Sequence, residues 1–208
     1  MSTSFALRGL YVVTPDWDDT KKLLAISEQA LKGGAALLQY RHKTASDALR
    51  RQQAEELFAL CRRYRVPFII NDFVQLCLDI DADGIHVGGT DKSVAEVRAL
   101  VGPDVILGSS CYGDLALAHA AEKAGASYVA FGGFYPSRVK KYPVTTPQTI
   151  VTDWKAQGKV PSVVIGGMTS DNAAPLVTNG ADMVAAISAV YMAPDPEAAA
   201  HQFAQLFR

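Results

Sequence analysis

Asp81-Ala82-Asp83-Gly84-Ile85-His86-Val87-Gly88 reads as a small-residue lead-in, a short apolar strand and a glycine exit. The same lead-in recurs as Gly34-Ala35, Gly125-Ala126 and Gly180-Ala181-Asp182. Its alanines fall at 35, 82, 126 and 181, with gaps of 47, 44 and 55 residues, each room for two strand–helix units. Small residues there let an incoming loop pack tightly beneath a sheet. Working outward, these segments introduce four of eight short apolar runs, at residues 9–13, 35–40, 67–70, 84–87, 105–108, 128–131, 162–165 and 183–187. Segments of helical period separate them, at 20–32, 46–64, 93–101, 114–124, 146–157, 171–178 and 196–207. The weakest connection is 73–79. Asp19-Thr20 and Ser170-Asp171 carry helix start signals at N-cap positions.

Apolar runs on a strict strand–helix rhythm indicate a parallel sheet covered by helices. Eight strands share 208 residues, or about 26 per unit, close to the lower limit for a (β/α)8 barrel. A doubly wound open sheet more often uses five or six strands at this length. No Gly-x-Gly-x-x-Gly follows the first run. The expectation is α/β, with residues 1–208 forming a single-domain (β/α)8 TIM barrel. Hydrophobic residues make up 49 % of the chain, enough for a core without disulfides or structural metal.

Twenty Lys and Arg against twenty-one Asp and Glu leave a formal charge of -1. That balance excludes the broad positive field needed to hold nucleic acid or an anionic membrane. Any anion must therefore meet locally concentrated charge. Cys61, Cys77 and Cys111 include no Cys-x-x-Cys pair and read as buried, reduced thiols. Residues 1–8 show no basic leader followed by an apolar segment, and no stretch approaches 18 apolar residues. A cytoplasmic protein is expected, neither secreted nor membrane-spanning. Self-association stays open.

In such a barrel chemistry sits at the C-terminal strand ends. The second run ends Gln39-Tyr40-Arg41-His42-Lys43, where alternation turns Gln39, Arg41 and Lys43 one way and His42 the other. An amide and two cations suit an anionic ligand. The third run ends Asn71-Asp72 and the fourth continues from His86 to Asp91. Two neighbouring carboxylates suit Mg²⁺, which takes one or two of them plus substrate phosphate oxygens. The other reading is that each caps a following helix. The fifth run leads into Ser109-Ser110, and the sixth into a basic loop through Ser137, Lys140 and Lys141. Gly166-Gly167 and Ile187-Ser188 end the last two runs, where backbone N–H groups and a helix N-terminus suit a second phosphate. His86 lines the barrel on this reading, while His119 and His201 fall on amphipathic helices at the surface.

In combination these motifs resemble the thiamine-phosphate synthase family along nearly the whole chain. The motifs are Gln-x-Arg-x-Lys at 39–43, Asn71-Asp72, Asp83-Gly84-Ile85-His86-Val87-Gly88 with Asp91, Leu107-Gly108-Ser109-Ser110, Tyr135-Pro136-Ser137 with Lys140, Ile165-Gly166-Gly167 and Ile187-Ser188. The resemblance implies a transferase that joins hydroxymethylpyrimidine diphosphate to hydroxyethylthiazole phosphate and releases pyrophosphate. By position, Gln39, Arg41, Lys43 and Asn71 are implied to hold the pyrimidine diphosphate, and Asp72 and Asp91 the Mg²⁺ on it. Ser110, Ser137 and Lys140 are implied at the pyrimidine and its leaving group, with Arg41, Lys43, Ser110 and Lys140 carrying the catalysis. Gly167, Ile187 and Ser188 are implied to bind the thiazole phosphate.

The chain departs from the family's pattern at three places. His42 stands where Glu or Asp is usual, Gly89 where Gln is frequent, and Val139 where Thr is usual. Losing the Thr hydroxyl weakens diphosphate binding by roughly 0.5–1.5 kcal/mol. Two other functions compete. A related thiazole tautomerase carries a catalytic His where this chain has Tyr112, and a non-catalytic phosphate-binding barrel needs only one of the two ligand sites.

Overall fold

The computed structural model describes residues 5–88, 93–136 and 146–208. Strands β1 (Gly9–Val13), β2 (Leu37–Tyr40), β3 (Phe68–Asn71), β4 (Gly84–Val87), β5 (Ile106–Tyr112), β6 (Tyr128–Gly132), β7 (Ser162–Ile165) and β8 (Met183–Ala186) pair in parallel with their sequence neighbours. Pairing of β8 with β1 closes the barrel, with Leu10 opposite Val184. The connecting helices are α1 (Thr20–Lys32), α2 (Asp47–Tyr64), α3 (Val74–Asp79), α4 (Val94–Val101), α5 (Leu115–Lys123), α6 (Thr149–Gln157), α7 (Ser170–Thr178), α8 (Ser188–Tyr191) and α9 (Pro196–Gln205). The expected (β/α)8 architecture is the observed one.

Strand alternation divides the core in two. Tyr11, Val13, Leu37, Ile69, Tyr128, Val163 and Met183 pack inside the barrel. Their neighbours Leu10, Val12, Leu38, Ile70, Val129, Val164 and Val184 face the helices. Both layers are buried, so the strands, apart from the polar end of β5, read as continuous apolar runs rather than alternating ones. The inward parity of β2, β3, β4 and β5 continues upward to Gln39, Asn71, His86 and Ser110, which places four polar side chains toward the mouth.

The repeated lead-in has a mechanical use at the opposite end. Asp83 accepts the backbone N–H of Phe68 at 2.9 Å and pairs with Arg62 at 3.4 Å. Asp182 does the same half a barrel away, accepting from Ser162 N at 2.9 Å and pairing with Lys155 at 3.2 Å. Each aspartate thus ties the first N–H of the preceding strand to a cation from the preceding helix. At the third copy Ser127 Oγ takes the N–H of Leu107 at 3.0 Å.

Several details depart from the sequence reading. β5 runs four residues past the expected end at 108, through Ser109, Ser110, Cys111 and Tyr112, with a register shift between Ser110 and Tyr112. Its polar residues hide it from an apolar-run criterion, yet it pairs on both sides. Thr169, rather than Ser170, caps α7 in a capping box with Asn172. Asp19 caps α1 as expected. The strand expected at 183–187 stops at Ala186, and the four-residue α8 follows at once. The three cysteines are free and buried, and burial pushes the Cys111 thiol up to about 11, which keeps it an inert thiol.

Candidate active site

Thr14, directly after β1, receives the backbone N–H of Arg41 at 2.8 Å on its hydroxyl and donates to the Arg41 carbonyl at 3.0 Å. That clasp fixes the chain where β2 ends. Asp16 then engages the cationic motif from the same loop. Its Oδ2 accepts from Arg41 Nη1 at 2.9 Å and its Oδ1 from the backbone N–H of Lys43 at 3.0 Å. His42 turns away from its two cationic neighbours, as alternation requires, and its Nε2 meets Asp18 at 2.9 Å. Its Nδ1 lies 3.8 Å from Asp16. Arg41 and His42 are both buried. Arg41 Nε and His42 Nδ1 have no hydrogen-bond partner among the described residues.

Asp16 and Asp18, which engage Arg41 and His42, are the site carboxylates that sequence reasoning missed. Their signal was present as a run of acids, Asp16-Trp17-Asp18-Asp19, after the first strand. The run also supplies a physical account of His42. Where the usual residue is acidic, this chain has an imidazole facing two loop carboxylates.

On the next strands Lys43 Nζ reaches Asp72 Oδ2 at 3.3 Å, and Asn71 Nδ2 donates to the same oxygen at 2.7 Å. Asp72 takes a left-handed backbone (φ 66°), while its N–H stays on the His86 carbonyl at 2.9 Å. A non-glycine residue in that region is uncommon, and such residues cluster at functional sites. The helix-cap reading of Asp72 does not hold, and Asp91 lies outside the described residues. α3 begins without a side-chain cap, and α4 is capped by Ser93 through a capping box with Glu96. Both described donors to Asp72 converge on Oδ2, and Oδ1 accepts from none of the described residues.

Deeper in the mouth, Gln39 Nε2 donates to the Tyr11 hydroxyl at 2.8 Å, and His86 Nε2 lies 2.9 Å from Ser110 Oγ. Ser109 has the opposite parity to Ser110, so only one of the two expected hydroxyls faces inward.

Across the mouth, Gly166 and Gly167 both have positive φ, 114° and 62°. A Cβ on Gly167 would stand 2.3 Å from the Pro136 carbonyl oxygen, and one on Gly166 would stand 2.9 Å from Gly133 N. Tyr135 N donates to the Gly166 carbonyl at 3.1 Å, and Asn172 Nδ2 to that of Gly167 at 3.0 Å. The glycines therefore also clear room for residues 133–136 to lie against the loop after β7. Ile187 leaves the strand and Ser188 opens α8, beside Gly167 on the adjacent loop. The structure thus gathers Gln39, Arg41, Lys43, Asn71, Asp72 and Ser110 on one side and Gly167, Ile187 and Ser188 on the other. Asp91, Ser137 and Lys140, with Gly89 and Val139, lie outside the described residues.

A (β/α)8 barrel with a braced arginine, a lysine and a carboxylate on one side of its mouth, and glycine-backed loops after β7 and β8 on the other, is built for phosphorylated small molecules. The family model described as thiamine monophosphate synthase matches residues 10–190. The chain belongs to that family. It is 80 % identical over 201 residues to the thiamine-phosphate synthase of Janthinobacterium sp. (strain Marseille), covering 97 % of each chain. It is 49 % identical to that of Methylobacillus flagellatus, covering 97 % of this chain and 96 % of the relative. Among solved structures it resembles thiamine phosphate pyrophosphorylase from Pyrococcus furiosus, with a TM-score of 0.85 and 31 % identity over 97 % of this chain and 96 % of that one.

Proposed function

We propose that this chain joins hydroxymethylpyrimidine diphosphate to hydroxyethylthiazole phosphate, forming thiamine phosphate and pyrophosphate. The observation that carries the reading is the two-sided mouth, a braced cationic side facing a glycine-backed side. In the reaction the bond from the pyrimidine methylene carbon to the diphosphate oxygen breaks, and its electron pair leaves with the diphosphate. The thiazole nitrogen supplies the pair that forms the new carbon–nitrogen bond. Little of this needs a general base, so the protein's task is positioning and charge neutralisation.

In this reading Arg41, Lys43, Lys140 and Ser110 hold the leaving diphosphate, and Gln39, Asn71 and Ser137 orient the pyrimidine end. Gly167, Ile187 and Ser188 hold the thiazole phosphate by backbone and hydroxyl donors. Asp72 and Asp91 are the proposed ligands of one Mg²⁺. Asp72 fits that role because Oδ1 is unengaged by described residues and its donors sit on the other oxygen. A site with so few carboxylates also suits a cation that keeps substrate oxygens in its shell. Among the described residues no three His, Cys, Asp or Glu side chains cluster as a protein-only metal cage. When bound, the metal supplies Lewis-acid neutralisation of the departing oxygens.

The braced Arg41 alters the charge balance. Three cationic side chains and a divalent ion against Asp72 and Asp91 leave about +3, but Asp16 lowers this to about +2 against a diphosphate ester near -3. Dipoles of Gln39, Asn71 and Ser110 supply the remainder. We also propose that the protein works in the cytoplasm; among the described residues no helix is long and apolar enough to cross a membrane. The decisive assay supplies both substrates with and without chelator. Pyrophosphate release that needs Mg²⁺ is expected. No turnover in a folded sample that still binds the thiazole phosphate would sink the proposal.

A further inference from the structure

Five side chains form an unbroken line of hydrogen bonds through the barrel interior. Gln39 Nε2 donates to the Tyr11 hydroxyl at 2.8 Å, which lies 2.7 Å from the Tyr128 hydroxyl. Tyr128 lies 3.0 Å from His86 Nδ1, and His86 Nε2 lies 2.9 Å from Ser110 Oγ. The ends, Gln39 on β2 and Ser110 on β5, are both placed at the pyrimidine diphosphate above. The three middle members have no part in that reading.

We infer that this line is directional, holding His86 in its Nε2-protonated tautomer so that the Ser110 hydroxyl proton is turned outward toward the departing diphosphate oxygen. The inference rests on the proposed placement of Ser110 at the leaving group.

The direction follows from counting protons. A phenol carries one proton and a neutral imidazole one ring N–H. Tyr11 accepts from the Gln39 amide, so its own proton goes to Tyr128. Tyr128, having accepted, donates to His86 Nδ1. An accepting Nδ1 puts the ring proton on Nε2, from which it is donated to Ser110 Oγ. The serine's own proton is then free to face the mouth. An anionic oxygen needs a donor there, and an O–H to such an oxygen makes a strong, charge-assisted bond. Were the line reversed, Ser110 would donate to His86 and present lone pairs to the anion. Burial raises the pKa of both phenols, Tyr128 well above its ordinary value, so each keeps its proton.

The local fold is shaped around the middle of this line. A Cβ on Gly108 would fall 2.0 Å from Tyr128 Cζ and 2.2 Å from its hydroxyl, so only glycine leaves that ring room. The His86 ring stacks on Tyr128 with centroids 5.7 Å apart and planes 20° from parallel. Tyr11 meets the Tyr128 ring edge-on at 5.8 Å. Replacing both partners of a buried hydrogen bond by apolar groups can be nearly neutral for stability. Stability alone therefore does not call for a polar line here, whereas positioning does.

The test is ¹⁵N NMR of imidazole-labelled, ligand-free whole protein, with the His86 resonances identified by their loss in His86→Gln. A protonated Nε2 and an accepting Nδ1 are expected. An Nδ1-protonated or doubly protonated ring overturns the inference. In Tyr128→Phe the Nε2-protonated form loses its dominance, and kcat falls about tenfold while KM for the thiazole phosphate stays within about twofold. A folded Tyr128→Phe enzyme with unchanged kcat and tautomer also overturns it. The wild-type tautomer is read without turnover, so failure of the two-substrate assay counts against the synthase reading alone.

Discussion

At the N-terminal end of the barrel, Asp83 and Asp182 each hold a strand N–H and a helix cation. At the C-terminal end, Arg41 Nε and His42 Nδ1 are buried without a hydrogen-bond partner among the described residues, and Asp72 Oδ1 accepts from none of them. The same residue types appear at both ends, yet the lower end pairs them and the upper end keeps capacity open. An unmet buried donor or acceptor costs about 1–3 kcal/mol, so a fold selected for stability alone would not keep two such atoms side by side. The lower end is a fastening, and the upper end keeps the open capacity that the proposed anion site requires.

Arg41→Ala is the most direct way to break that contrast. Removing a guanidinium proposed to neutralise the leaving group should cut kcat/KM by about 10²–10³, far more than follows from the few degrees of Tm lost with its bond to Asp16. Steady-state kinetics beside a melting curve checks both. A large drop in Tm with kcat/KM nearly intact would make Arg41 another fastening.

Asp16→Asn sharpens the same contrast with a smaller effect. The amide keeps the size of the side chain but weakens the charge-assisted bond that aims Arg41, worth about 1.5–3 kcal/mol. KM for the pyrimidine diphosphate should rise about tenfold, with KM for the thiazole phosphate little changed. An equal rise in both would show that Asp16 supports the whole mouth rather than one side of it.

Asp16 also marks the limit of what was legible in the sequence. The eight strands could be read because strands buried on both faces are short apolar runs. The motif at 39–43 could be read because alternation alone orients it. Asp16 lies 25 residues from Arg41, and only the pairing of β1 with β2, sealed by Thr14, brings them together. The loop acids after β1 are indistinguishable in sequence from helix-capping acids, and Asp19 is one. α8 escaped because four residues carry no period. The line from Gln39 to Ser110 escaped because Tyr11 and Tyr128 read as ordinary strand aromatics, and their hydroxyls meet only once the barrel closes.

At the lower end the expected effects fall on stability. Asp83→Ala leaves the Phe68 N–H without its partner and Arg62 without its counter-charge, costing about 1–3 kcal/mol. For a chain of this size that lowers Tm by several degrees, at about 2–4 °C per kcal/mol. Turnover per folded molecule should be unchanged. A loss of kcat as large as that of Arg41→Ala would erase the distinction between the two ends.

The smallest effect concerns how Asp83 titrates. Burial is the largest influence on its carboxyl and raises the pKa above 3.8, although Phe68 N and Arg62 pull it back. Between the unfolded and folded values the folded state binds the extra proton, so stability falls as pH rises through that window. This is opposite to the usual carboxylate that is held low by an ion pair. Asp83→Asn cannot ionise and retains a carbonyl for the Phe68 N–H, so it should lack this slope. Urea denaturation of both proteins from pH 3 upward, at roughly one-unit steps, should show the variant gaining on wild type as pH rises. If wild type gains instead, the Arg62 pair outweighs burial, and Asp83 behaves as an ordinary ion-paired acid rather than a buried fastening.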